Sequence, residues 1–450
     1  MEMASFILEF LVVVICIVMG VRMGGIGLGI WGGVGVFILV FIFGLAPGEI
    51  PGSAMLIILT VVTAAGAMQA AGGIDWLVVV AAKLIRKRPK LITLIAPLVS
   101  YAFVVGAGTS NIFYPLIPVI YEVSYKEGIR PERALSLSTV ATALGITSSP
   151  VAAAMAAMVA LMEPEGVTLP QILAITIPSS IVAIIIGSLV MMRWGKNLEN
   201  DPEFQKRLAE GKIAPPASKD EPAPVLPRMA KWSAIIFLVG VIFVILIALV
   251  PGMVPSWEVL LEDGTVDMQQ LSMTQTIEII MLLVATIIIL MAKVKPADVV
   301  KQQTFTAGIV ALLALFGVAW MANTFIYAHL DQIVATLGDW VAVAPWVFAV
   351  AIFVVAALTT SQSATTNTIV PIGLALPTLG MGQIIAMWQA LAGVYFLPAN
   401  GTQLAAVETD LTGTTRLTKY VVYHSFTVPL FVLTIVSVVV GLGMALIVGI

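Results

Sequence analysis

Long apolar runs separated by short polar breaks organise the whole chain. Runs of spanning length lie at about 5–21, 26–46, 53–72, 134–162, 170–192, 232–250, 271–292, 304–325, 383–407 and 420–448. A hydrocarbon core ~30 Å thick takes ~20 apolar residues of helix, so the pattern predicts an all-α membrane protein with ten spanning helices. Two further stretches, 91–124 and 341–378, carry small polar residues near their middles, which leaves arms short for a tilted span. Each predicts a re-entrant hairpin that enters and leaves the membrane on one side. Residues 193–231 are polar and rich in Pro, Ala and charge, which predicts a linker with a short helix near Pro202–Leu208. The linker separates 1–192 from 232–450, each with five spans and one hairpin. An odd number of spans turns the second half upside down relative to the first, an arrangement frequent in secondary transporters.

Composition strengthens the membrane reading. Of 450 residues 60% are hydrophobic and 10% charged, with a mean hydropathy of +1.07, whereas a soluble domain carries ~25% charged residues. Cys16 is the only cysteine, which excludes a disulfide framework, and His329 and His424 lie too far apart in sequence to suggest zinc. Residues 1–6 include Glu2 but no Lys or Arg, so 5–21 is expected to be a first span and not a signal peptide.

Charge placement predicts the topology. With the N-terminus outside, all 22 Lys and Arg fall on the inner side: Arg22, the 83–90 cluster, Lys126 to Arg133, the linker, Lys293 to Lys301, and Arg416 with Lys419. The opposite loops carry acids only: Glu49, Glu163, Glu165, Glu258, Glu262, Asp263, Asp267, Asp331 and Asp339. The positive-inside rule then predicts periplasmic termini and a cytoplasmic linker. Glu9 and Glu278, near outer span ends, are expected to snorkel and are given no role.

The breaks recur. At an offset of 256, Asn111 meets Asn367, Asp75 meets Asp331, Pro89 meets Pro345 and Pro115 meets Pro371. The hairpin tips read GAGTSNIFYP (106–115) and TSQSATTNTIVP (360–371). Behind each comes a span interrupted by GITSSP (145–150) or LPANGTQ (397–403), where Pro150 and Pro398 cannot continue a helical ladder. Irregular backbone at membrane depth survives only where it is buried or lines a cavity, so four breaks mark one central polar site. Helix N-termini, hydroxyls and carboxamides suit carboxylates. Thr109, Ser110 and Asn111 with Thr147, Ser148 and Ser149 can hold one end of a small dicarboxylate. Thr365, Thr366 and Asn367 with Asn400, Gly401 and Thr402 can hold the other. The same unwound backbone can instead coordinate Na⁺, or the polar residues can simply satisfy backbone groups and pack helices.

No Lys or Arg falls at the expected midplane. Arg130 and Arg133 read as positive-inside anchors that at most line the cytoplasmic mouth. His424, near the inner start of the last span, admits two readings: a proton relay or a hydrogen-bonded packing histidine. The glycines at 24–35 are read as close helix contacts. There is no Walker A motif, no pair of intramembrane acids and no Ser–His dyad, so neither an ATP-driven machine nor an enzyme is expected. No cofactor, metal or nucleic-acid partner is expected, although Na⁺ or H⁺ coupling stays open. The rival from another class is an anion channel, which usually assembles identical filters from several subunits.

Several stretches carry a family resemblance: MGGIGLGIWGGVG (23–35), MQAAGGID (68–75), GIRPERALS (128–136), ITSSPVAAA (146–154), SQSAT (361–365) and GTTRLTKYVVYHSF (413–426). On these, and nearly end to end, the chain resembles the anaerobic C4-dicarboxylate transporter (Dcu) family of bacteria. The resemblance implies exchange of fumarate, malate, aspartate and succinate across the bacterial inner membrane. The tips also look like the Ser-Asn-Thr hairpins of the wider ion-transporter superfamily, which implies elevator-type movement in a homodimer. One departure is LPANGTQ, where the family tends to read Leu-Pro-Thr-Tyr-Pro; this leaves the preferred dicarboxylate open.

Overall fold

A computed structural model describes residues 2–50, 52–213, 226–250, 253–260, 266–329, 332, 341, 343–397, 400–417 and 423–450. Glu262, Asp263, Asp331, Asp339, Pro398 and Lys419 lie outside the described residues.

The first half runs α1 (Glu2–Met23), α2 (Gly27–Phe37, continued by a π turn Ile38–Ile42), α3 (Gly52–Ala70) and α4 (Gly73–Lys87). The first hairpin is α5 (Ile92–Ala107) and α6 (Leu116–Lys126), joined by a 3₁₀ turn at Ser110–Phe113. Then come α7 (Pro131–Thr147), α8 (Ala153–Met162), α9 (Leu169–Met192) and, in the linker, α10 (Pro202–Ala209). The second half has α11 (Ala230–Leu249), α12 (Met273–Ala292), the single turn α13 (Pro296–Val299) and α14 (Gln303–Ala328). The second hairpin is α15 (Val347–Thr359) and α16 (Gln362–Ala375). It is followed by α17 (Met381–Trp388), a 3₁₀ stretch Gln389–Tyr395, α18 (Gly401–Thr409) and α19 (Thr427–Val448).

Local chemistry sets these ends. Thr168 and Gln171 cap α9 reciprocally, as Ser272 and Gln275 cap α12. Pro131 opens α7, where its missing N–H costs nothing. The first interrupted span breaks as expected, α7 stopping at Thr147 and α8 restarting at Ala153. The second breaks earlier than LPANGTQ, because the backbone tightens to 3₁₀ from Gln389 onward. A short antiparallel β-hairpin, β1 (Ser256–Leu260) and β2 (Val266–Gln270), with Ser256 opposite Gln270, fills a loop that the apolar pattern leaves unassigned.

Among the described residues seven helices are long and apolar enough to cross a membrane, and Ser5–Gly20, Gly27–Ile42 and Val347–Thr359 are shorter apolar helices. The stretch Pro89–Ala107 is among the seven, so the first hairpin arm is longer than the sequence suggested. Its return arm α6 has only 11 residues. Arg86, four residues before Lys90, bonds Glu122 of α6 at 3.0 Å, and Lys126 bonds the same carboxylate at 2.6 Å. Both feet of this hairpin therefore lie on one side of the molecule.

Close backbone crossings hold the bundle. An added Cβ on Gly29 would lie 2.3 Å from the Leu313 carbonyl oxygen, and one on Gly317 only 2.0 Å from that of Gly29. Gly29, Gly32 and Gly35 are thus close helix contacts, as expected of the run 24–35, whereas a Cβ at Gly24, Gly25 or Gly33 would meet nothing within 4 Å. Each hairpin also crosses the interrupted span behind it at a glycine. At Gly145 a Cβ would meet Val104 Cβ at 2.8 Å, and at Gly393 it would meet the Phe353 carbonyl oxygen at 2.4 Å.

Candidate functional site

The two tips share one cavity of about 240 Å³. Tip one turns at Gly108, whose φ of 68° is easy for glycine. Thr109 then caps the following 3₁₀ turn, its hydroxyl accepting from the Asn111 amide at 3.2 Å. Tip two turns at Thr360, whose φ is 50°. A β-branched residue in the left-handed region is strained, and such strain gathers at functional sites. Thr359 braces it, its hydroxyl 2.8 Å from that of Thr365, while Ser361 caps α16 by accepting from the Ala364 amide at 3.3 Å.

Thr109, Ser110 and Asn111 line the cavity together with Gln362 and Ser363 of tip two. The turns and caps of the tips match at Gly108 and Thr360 and at Thr109 and Ser361, a spacing of 252 beside the 256 of the Asn111–Asn367 pairing. The one-turn difference places Thr365, Thr366 and Asn367 inside α16, away from the cavity. Thr366 accepts from Trp388 Nε1 at 2.8 Å, and Asn367 Nδ2 donates to the Ser363 carbonyl at 2.9 Å. They shape the tip from behind.

The first break also works as support. Thr147 donates to the Leu144 carbonyl at 3.0 Å, Ser148 lies 3.2 Å from the Ser180 hydroxyl, and Ser149 donates to Val105 O at 2.7 Å. The last bond ties the break to the hairpin arm. Backbone and small side chains at Val151–Ala154 supply the cavity wall instead.

Asn400, Gly401 and Thr402 form a separate cluster. Asn400 Oδ1 accepts from the Thr402 amide at 3.1 Å and caps α18. The Thr402 hydroxyl reaches Tyr395 at 3.2 Å, and Tyr395 in turn lies 2.7 Å from Thr142 of α7. At Gly401 a Cβ would sit 2.3 Å from the Tyr114 hydroxyl of tip one. The second break thus touches tip one from the side that does not face the cavity.

The remaining walls come from α3 (Ile57, Ile58, Val61) and α14 (Thr304, Ala307, Gly308, Ala311). No lining residue is charged. A dianion here would meet neutral donors and helix ends, as the lack of midplane cations suggested. The volume is below the ~300 Å³ where drug-sized pockets begin, which suits a small solute. Sequence reasoning missed Gln362, Ser363 and Thr304. The first two stood inside the quoted tip but were displaced by the assumed offset; Thr304 carried no local signal.

His424 is held by both ring nitrogens. Nε2 lies 2.9 Å from the Phe396 carbonyl, and Nδ1 accepts from the Phe426 amide at 3.2 Å. Only the neutral Nε2–H tautomer satisfies both. Burial pulls its pKa below the usual histidine value, against the opposing pull of the Phe396 carbonyl. Because the folded value is depressed, the stabilisation is complete above pH ~6.5 and fades as pH falls through the lower folded value. Side-chain ¹⁵N spectra are expected to show the Nε2–H form at pH 7, with protonation only below pH ~6.5. A ring already charged at pH 7 would contradict this geometry.

One acid and two arginines depart from their expected roles. Glu9 does not snorkel: it is 2% exposed, accepts from Ser5 Oγ at 2.5 Å and pairs with His329 Nε2. Phe6 and Phe325 enclose that pair. Arg130 and Arg133 are buried and are not simple surface anchors. Arg130 bridges Glu132 at 2.5 Å and Asp201 of the linker. Arg133 donates to the Trp194 carbonyl at 2.8 Å. Among the described residues no cluster of three His, Cys, Asp or Glu could hold a metal ion.

Comparison with known proteins follows the same line. In overall structure the chain is similar to the Alcanivorax borkumensis YdaH transporter, with a TM-score of 0.54 at 16% identity, covering 92% of this chain and 86% of that one. It is 38% identical over 424 residues to the C4-dicarboxylate transporter DcuA of Escherichia coli (strain K12), covering 94% of this chain and 95% of that protein. It is 36% identical over 435 residues to DcuA of Wolinella succinogenes, covering 97% and 98%, and 35% identical over 444 residues to the anaerobic C4-dicarboxylate transporter DcuB of E. coli O6:H1, covering 97% of each. The family model described as anaerobic C4-dicarboxylate membrane transporter matches residues 5–449. The chain belongs to the DcuA/DcuB family of membrane transporters.

Proposed function

We propose that this protein exchanges C4-dicarboxylates across the bacterial inner membrane by alternating access, with the cavity between the two tips as its binding site. The observation that carries this reading is the meeting of both tips, from opposite halves of the chain, at one small uncharged polar cavity. One carboxylate sits at Thr109–Asn111 and the other at Gln362–Ser363. Residues 365–367 and the second break hold the tips in shape.

The transporter is read as ten crossings with two re-entrant hairpins in an inverted repeat. The matched crossings at Gly145 and Gly393 and the shared side of the first hairpin's feet support it. The interrupted spans and hairpins form the moving body of an elevator, and two copies form a homodimer. Both termini are periplasmic and the 193–231 linker is cytoplasmic. The cavity reaches the first turns of α14, just after the basic 293–303 loop, which supports access from the inside in this orientation.

Charge favours antiport over uncompensated uptake. Carrying a dianion inward against an inside-negative potential of 100 mV costs about 4.6 kcal/mol, twice the per-charge value. One-for-one exchange of dianions avoids that cost. Labelled succinate is expected to show saturable counterflow in proteoliposomes loaded with unlabelled fumarate, without an imposed pH or Na⁺ gradient. Uptake that requires either gradient would favour a symporter, and flux without saturation a channel. Asn111→Ala removes a donor at the cavity and is expected to cut counterflow at least tenfold, the scale of one hydrogen bond to a charged group, while the protein remains folded.

A further inference from the structure

We propose that Thr304, at the start of α14, is a substrate-contacting residue on the wall facing the tips. The inference rests on the binding site proposed above and adds a residue that neither hairpin supplies. Thr304 is 5% exposed, and its hydroxyl oxygen is buried without a hydrogen-bond partner. Its backbone amide is already satisfied, donating to Gln69 Oε1 of α3 at 2.9 Å, so the hydroxyl alone is spare. Buried polar atoms are nearly always paired, and an orphan calls for an explanation. Thr304 lines the same cavity as Asn111 and Ser363.

The neighbours on that face of α14, Ala307, Gly308 and Ala311, offer no side-chain polar atom. Ile57 and Val61 of α3 offer only apolar contact. Thr304 is thus the one side-chain donor among the α3 and α14 residues of this wall, opposite the hydroxyls and carboxamides of the tips. A C4-dicarboxylate fills this arrangement with its methylene or vinylene centre against α3. A χ1 rotation, for which threonine in a helix has two favoured rotamers, turns the buried Thr304 hydroxyl toward the cavity, where it donates a hydrogen bond to one carboxylate oxygen. The wall is rigid, because α14 crosses α3 closely: a Cβ on Gly308 would lie 2.1 Å from Val62 Cγ1. A donor on a rigid wall discriminates well, since little ordering remains to be done on binding.

The test compares wild type, Thr304→Val and Thr304→Ser in proteoliposomes by succinate counterflow, and in detergent by thermal unfolding with and without succinate. Thr304→Val keeps the shape and removes the donor. It is expected to raise the half-saturating succinate concentration about ten- to a hundredfold, with the succinate-induced shift in Tm lost and the succinate-free Tm not lowered. Thr304→Ser is expected to restore both readouts. Should Thr304→Val fail to fold, Thr304→Ala carries the same expectations. An active wild type with unchanged half-saturation in the donor-free variant overturns the assignment and makes the hydroxyl's partner a water. An inactive wild type overturns the dicarboxylate reading itself, and the Thr304 assignment with it.

Discussion

Gly317→Val is expected to abolish the folded protein. A Cβ at position 317 would lie 2.0 Å from the Gly29 carbonyl oxygen, and one at Gly32 would lie 2.2 Å from the Gly317 carbonyl carbon. Both contacts are backbone against backbone, so no side chain can rotate away and α2 must separate from α14. Overpacking a core costs typically 1–3 kcal/mol and occasionally more; with backbone as the obstacle the cost is at least about 3 kcal/mol. Apolar attraction does not compensate in a bilayer, where lipid is as apolar as the helix surface and close contact is the main source of helix affinity. The measurement is the monodisperse fraction after size exclusion in detergent, together with Tm. Gly33→Val is the control, because a Cβ there meets nothing within 4 Å. Equal behaviour of the two variants would refute the crossing.

Arg130→Met should destabilise the protein by about 3–5 kcal/mol, the usual cost of removing one partner from a buried ion pair. Arg130 is 6% exposed and neutralises two buried carboxylates, Glu132 and Asp201. Glu132 also accepts from Ser425 at 2.6 Å, and Asp201 caps α10 through the amides of Glu203 and Phe204, each at 3.0 Å. The arginine therefore ties together the start of α7, the linker and the entry to α19. Burial pushes the Asp201 carboxyl up, but bonds from the Phe204 amide and the Arg130 guanidinium outweigh it and hold the pKa below the usual value. The resulting stabilisation is present above the unfolded pKa of ~3.9 and is lost as pH falls through the lower folded value. Trypsin should cut within 193–231 faster in Arg130→Met than in wild type. The double variant Arg130→Met/Asp201→Asn should regain part of the lost Tm, since one stranded charge is gone. No change in either readout would mean that the linker is not held here.

The positions of breaks were legible in the sequence. Gly108, Pro150 and the polar run from Thr360 interrupt apolar patterns, and each is a local conformational preference that the chain carries wherever it is placed. The glycine crossings, the short helix after Pro202 and the uncharged character of the site were legible for the same reason. The membrane class followed from apolar runs of spanning length together with the scarcity of charge.

What faces the cavity was decided only in three dimensions. A shift of four residues along a helix preserves its local pattern, so the sequence could not distinguish an offset of 256 from one of 252. The turn at Thr360 puts Gln362 and Ser363 on the cavity and Thr365 to Asn367 behind it. Glu9 finds His329, Arg130 finds Asp201, and Thr304 shares a cavity with the tips across hundreds or tens of intervening residues. No periodicity encodes such pairings, because they arise from the packing of whole helices. The sequence by itself determined where the chain must break, since backbone preference is local; the tertiary structure decided which broken ends share a cavity, since burial and polar pairing belong to the assembled bundle.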